Sequence, residues 1–517
     1  MNLIPEIGTV ATAKDILARE LSDQEIALYI RATSLNQFLH AISHIDAKLY
    51  GQWGNIEVQK EFLSWLPFAL IPPDGMMYLK NFIAKGGILI SPNQLLWLIR
   101  WVIENKSTVD PGPLDIDSGA KYNIMILLLA AGDRIGQKAI IESQVLGRER
   151  AYLQELIRNT MLNRRYLSLM GQLVRSYKIF TSEKISNFVK LADLDVSLLV
   201  SFGLLINGQL MDKRERMSII NKSMIGNLNQ DAISIIERFV SPRELKDTLS
   251  EREDDFTWLR GNPAVSVNGN VFILSRSWLV DRFTTGLYYD INDRLNEKDQ
   301  KQASNFRGRF GQALEEYARD ILRGNGFDCK GDEEYYVNRK QYKASDCWFS
   351  SQFGEIIFEV KSKYLPAAAQ VSGDIITYTE NMQKGIIYSA RQGIRFAQDL
   401  HKGLFDKDNR YHGPFWIFLV STDDFAPAHD LSFYIDKFLF LLERDDCIKF
   451  PRRLHIDELP LIKPNTVELL IKWASNQIYY ADSFSDWLLY SGYMAEIKAL
   501  SDEWSSLVSQ AEKRLAP

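Results

Sequence analysis

The stretch Glu355-Ile-Ile-Phe-Glu-Val-Lys-Ser-Lys363, with Asp346 just upstream, decides how this chain is read. Glu359 and Lys361 sit two apart in a β-branched and aromatic run. A strand places residues i and i+2 on one face, so these two side chains point the same way. Phe358 and Val360 point the other way, toward a core. The run is apolar enough for a central strand, and central strands rarely carry charge without a partner or a metal. Asp346, from a neighbouring strand, would complete an Asp…Glu-x-Lys group. Such a group can hold a divalent cation and activate a water for phosphodiester cleavage.

The surrounding segments follow a definite order. Residues 307 to 323 carry Phe310, Leu314, Tyr317, Ala318 and Ile321 at helical spacing, and Asn325-Gly326 ends the helix. Strands are expected at 334–337, 344–349 and 355–363. A long helix follows at about 381–402, and Phe415-Trp-Ile-Phe-Leu-Val-Ser421 reads as a buried fourth strand. With Asp346…Glu359-x-Lys361, this order resembles the PD-(D/E)xK nuclease superfamily, the restriction-endonuclease-like fold, over about residues 300–425. Ser345 departs from the family pattern, which has a proline there.

The resemblance implies an αβββαβ core and a metal-dependent nuclease; of the two substrates left open, DNA and RNA, DNA is favoured. Asp346 and Glu359 would hold Mg²⁺ or Mn²⁺, and Lys361 would position or deprotonate the attacking water. The family often carries a helical glutamate that reaches the metal. Glu315 matches it, beside Gly311, Ala318 and Leu322, whereas Glu316 falls with Gln312, Arg319, Asp320 and Arg323 on the side expected to be solvated. Each residue also has a plainer reading. Asp346 could be a turn aspartate, Glu359 and Lys361 an exposed pair guarding an edge strand, and Glu315 a solvated glutamate.

On the helix at 381–402, Lys384, Arg391, Arg395 and Lys402 fall at i, i+7, i+11 and i+18. At about 100° per residue they form nearly one line. Ile386, Ile387, Ala390, Ile394 and Ala397 take the opposite side. The line is a candidate nucleic-acid contact, because phosphate affinity is mainly electrostatic. An ordinary solvated face is the alternative.

Composition limits the rest. The chain has 517 residues, enough for two to four domains, and 46% hydrophobic residues to fill their cores. Its net charge of −5 excludes a globally basic nucleic-acid coat and leaves room for a local groove. Cys329, Cys347 and Cys447 show no metal spacing and no pairing pattern, which points to a reducing compartment. There is no Gly-x4-Gly-Lys phosphate loop, so ATP is not implied. The N-terminus lacks the charge and apolar core of a signal peptide, and the apolar run at 124–131 is too short for a bilayer. A cytoplasmic protein with no membrane contact is expected.

Up to about residue 250 the pattern is helical. Ser22-x-x-Glu25 forms a capping-box signature. Ser91-Pro92 and Ser241-Pro242-Arg243-Glu244 are further helix starts. A loop at 107–117 is a candidate division into two lobes. Asn268-Gly269, between apolar runs, signals a hairpin. Helices are expected again at 431–442, 465–474 and 484–507.

The expected architecture is therefore α+β and multidomain. It has a large all-helical N-terminal region (1–250), a β-hairpin and helix connector (251–300), the nuclease-like core (301–425) and a helical extension (426–517). The helical regions are candidate contacts for a second copy or a partner protein. A stand-alone nuclease with a large accessory region suggests, by analogy only, bacterial defence against phage or plasmids. The alternative is a catalytically silent nuclease-like scaffold that binds nucleic acid or assembles with other proteins.

Overall fold

The computed structural model describes residues 10–50, 55–106, 111–147, 169–201, 203, 219–220, 249, 256, 258–362, 375–406, 410–422, 446–449, 451–475, 484 and 488. It is a mixed α+β protein and divides into two units. One comprises residues 1–164, 202–283 and 511–517; the other comprises 165–201 and 284–510. These units do not follow boundaries at 250, 300 and 425. The helices Leu169–Phe180 and Glu183–Leu191 belong with the sheet-bearing unit, and the hairpin belongs with the N-terminal one.

In the first unit, helix starts are set by local side chains. Ser22, Ser34 and Ser91 each accept from the third residue of their helix, and Glu25, Gln37 and Gln94 reciprocate. These reciprocal caps satisfy amide donors that the helix itself leaves free. The described residues of the loop near 107–117 are laced to the helix Leu35–Leu49. Asn36 binds the carbonyls of Pro111 and Gly112, and Gln37 binds that of Asp115. The hairpin pairs Ala264–Val267 with Asn270–Ile273 through Asn268 and Gly269, both at positive φ. Ile219–Ile220 adds a third strand, so the N-terminal region is not all helical. The start expected at 241–244 lies outside the described residues.

In the second unit, a helix spans Gln300–Gly324, seven residues longer at its start than expected because Asp299 caps it. Phe306, Phe310, Ala313, Leu314, Ala318 and Leu322 form its buried stripe. Asn325 caps its end, and Gly326 follows at φ +96°.

The main sheet has four strands in the order Cys347–Ser351, Gly354–Lys361, Phe415–Ser421, Arg452–His455. The first pair is antiparallel and the other two are parallel. Gly354–Lys361 is thus internal, as its apolar content requires, and both of its faces are covered. Phe349, Phe358 and Phe418 stack across one face, with ring centroids 5.9 and 5.5 Å apart. Burial of each ring contributes roughly 1.5–3 kcal/mol.

Two expectations are corrected in this sheet. The strand Glu334–Val337 exists, but it folds back on Lys340–Lys343 as a separate hairpin instead of joining the main sheet. Asn338 and Arg339, at φ +50° and +66°, make the two-residue turn that permits this. The C-terminal extension is not purely helical either, since Arg452–His455 supplies the fourth strand. The helix Val467–Ser475 matches the one expected at 465–474. Residues 431–442 and most of 484–507 lie outside the described residues.

Cys329 and Cys347, which show no pairing pattern in the sequence, are joined in a disulfide. An antiparallel bridge between Lys330 and Trp348 lays the two segments side by side, with the cysteine Cα atoms 6.1 Å apart. A pairing produced by chain crossing leaves no spacing signature in the sequence. Among the described residues, no helix is long and apolar enough to cross a membrane.

Candidate metal and nuclease site

Strand register builds the site. Cys347 pairs with Phe358 across the antiparallel ladder, so Asp346 falls opposite Glu359 and on the same face. The Asp346 carboxylate accepts the Val360 amide at 2.7 Å. The Lys361 ammonium lies 3.3 Å from Asp346 Oδ2 and 3.7 Å from Glu359 Oε2. Asp346, Glu359 and Lys361, separate in sequence, thus converge on one point. Ser345, the departure from the family proline, donates its hydroxyl to Glu359, a bond proline could not make.

Glu359 is buried, not displayed. The helix Tyr388–His401 covers it, and a Cβ on Gly393 would lie 3.4 Å from the Glu359 Cγ. Burial, and then the charge of nearby Asp346, pushes the Glu359 carboxyl up to about 8. Burial alone would lower the Lys361 ammonium, but Asp346, Glu359 and Glu315 outweigh it and raise the value.

Glu315 reaches the same region from the Gln300–Gly324 helix. It is half-buried and raised by desolvation and by Asp346, with Lys343 opposing at 3.1 Å. Asp332, which sequence reasoning missed, joins it. Carboxylate oxygens of Glu315, Asp332 and Asp346 lie within 4.8 Å of one another. Gly331 makes this possible: a Cβ there would sit 2.3 Å from the Asp346 carbonyl oxygen. A glycine immediately before an aspartate was the available signal. Arg319 was expected on the solvated side, yet it is buried. It pairs with Asp332 and donates to the Asp346 carbonyl. These carboxylates are hard oxygen donors of the kind that suit Mg²⁺ or Mn²⁺.

The basic line is placed elsewhere. Ile386, Ile387, Ala390, Ile394 and Ala397 are buried, as expected for its opposite side. The helix contains a π turn at Gln383–Ile387, whose extra residue breaks the line between Lys384 and Arg391. Lys384 pairs with Glu380 at 3.1 Å, and the Arg395 guanidinium stacks 4.6 Å over Tyr342. Arg391 and Lys402 are exposed. Arg391 is two residues from the sheet-facing Gly393, about 200° around the helix, so it is turned away from the carboxylates.

Comparison of the chain with models of protein families, with curated proteins and with solved structures finds no match.

Proposed function

We propose that this chain is a divalent-metal-dependent nuclease of the PD-(D/E)xK kind, acting on DNA in preference to RNA. The observation that carries the reading is the Lys361 ammonium between Asp346 and Glu359, on a buried central strand. Burying two acids beside a lysine is costly, and a catalytic task accounts for that cost. The helix before the sheet, the internal Glu-x-Lys strand and the covering helix before a parallel strand support the same reading. The free-standing hairpin and the fourth strand are departures from the αβββαβ order.

Asp346 would hold Mg²⁺ or Mn²⁺, with Glu359 on one side of it and, on the other, Glu315 and Asp332, whose oxygens gather with its own. When bound, the ion supplies Lewis acidity at the phosphoryl group. Lys361 orients the attacking water and neutralises charge that builds on the phosphate oxygens. Ser345 holds the Glu359 carboxylate in place. Arg319 holds Asp332 and the Asp346 backbone. A place in defence against phage or plasmids rests on analogy alone.

The test uses labelled single- and double-stranded DNA and RNA with Mn²⁺. The wild-type chain should cleave at least one of them. Lys361→Ala and Asp346→Ala should each lose on the order of 100-fold or more while staying folded. A wild-type chain that cleaves none, or full activity in either variant, ends the nuclease reading. One observation favours the silent scaffold instead: Asp346 and Glu315 are both already ion-paired with lysine. In that reading wild-type protein cleaves nothing and binds no Mn²⁺.

A further inference from the structure

Lys343 is the last residue of the hairpin strand Lys340–Lys343. Its ammonium lies 2.5 Å from Asp332 Oδ1, 3.1 Å from Glu315 Oε2 and 3.7 Å from Asp346 Oδ1. These are the same three carboxylates whose oxygens gather within 4.8 Å. The structure therefore has a cation at the centre of its acidic cluster, and that cation is covalently part of the chain.

The hairpin delivering it is braced from its other face. Tyr335 donates its hydroxyl to Asp399 at 2.5 Å, and Arg395 stacks on Tyr342 at 4.6 Å. Tyr335 and Tyr342 are cross-strand partners, so both lie on the face opposite Lys343. The position of Lys343 is thus set by a fixed element. Its side chain is still 45% exposed, which leaves the ammonium a way out toward solvent.

We propose that Lys343 is a tethered cation that closes the carboxylate site, and that a divalent ion enters only by displacing its ammonium. This rests on the metal-dependent reading above. Two positive charges cannot share the space between the same three carboxylates at contact distance, so ion and ammonium compete. Lys343 then keeps the acids neutralised, and the site shut, at low ion concentration. Substrate phosphates could assist opening, because a displaced lysine finds new anionic partners there.

The experiment is a Mn²⁺ titration of the full chain at constant ionic strength, followed by electron paramagnetic resonance of the free ion. Lys343→Met should bind Mn²⁺ about tenfold more tightly than wild type. Lys343→Arg, which keeps the charge, should stay close to wild type and guards against a folding artefact in the Met variant. Lys340→Met, on the same hairpin with its ammonium over Tyr342, should be unchanged. Equal or weaker binding by Lys343→Met overturns the inference and leaves the metal reading standing. Equal tightening in Lys340→Met also overturns it, since that is a general charge effect. No Mn²⁺ binding by any variant or wild type removes the metal reading, and the inference with it.

Discussion

Gly393 presses the covering helix onto Ile417: a Cβ at Gly393 would sit only 2.8 Å from the Ile417 Cγ2 and 3.4 Å from the Glu359 Cγ. Ile417 is 1% exposed on an internal strand, and its branched side chain has no room to yield. Gly393→Val should therefore lift the helix and destabilise the unit by on the order of 2 kcal/mol. Urea denaturation measures this. A variant as stable as wild type would show that the helix does not bear on the strand at this point.

The buried Glu359 carboxyl sets a pH dependence. Its folded value, about 8, lies above its ordinary 4.5. The fold therefore prefers the protonated form. The resulting stabilisation is complete below about pH 4.5 and is lost as pH rises toward 8. In a chelator, the urea midpoint of wild type should fall across that window more steeply than that of Glu359→Gln, which stays neutral. Mn²⁺ should restore wild type most at the alkaline end. Parallel slopes for the two proteins in chelator would show that Glu359 ionises normally.

The basic side of the helix can be separated from the carboxylates. Arg391→Ala with Lys402→Ala should weaken nucleic-acid binding about equally for all sequences. It should flatten the salt dependence by a slope of roughly 0.7 to 0.9 for each phosphate left unneutralised. The rate at saturating substrate should hold, because Arg391 is turned away from Glu359. Unchanged affinity and slope would assign this side to solvent. Arg395→Ala should instead loosen the hairpin, since its guanidinium lies on Tyr342.

Particular residues show what the sequence could and could not reveal. The Gly354–Lys361 strand was legible because β-branched and aromatic residues alternate with Glu359 and Lys361 at a period of two. Register then brought Asp346 to Glu359 with no further information. Asp332 was marked only by the glycine before it, since its approach depends on a close backbone passage at Gly331. Arg319 was misplaced because helical spacing alone cannot show that a carboxylate waits beside the polar face. The separate hairpin turned on Arg339 accepting positive φ, a conformation bulky residues seldom take. Arg452–His455 reads as polar chain, and only pairing with a distant strand makes it part of the sheet.

That last strand has a consequence for any shortened form of the protein. All seven residues of Phe415–Ser421 are buried, and one of its hydrogen-bonding edges is taken up by Ile448 at Phe415 and by Arg452–His455 along Phe418–Ser421. A chain cut at 425 would keep every residue of the Asp…Glu-x-Lys group, yet it would leave that edge unpaired along Phe-Trp-Ile-Phe-Leu-Val. Such an edge recruits other chains. A chain of residues 1–425 should come out of the cell as aggregate, where one of residues 1–475 stays in solution, as centrifugation of the lysate would show. The boundary drawn from the nuclease resemblance alone would thus be the wrong place to cut.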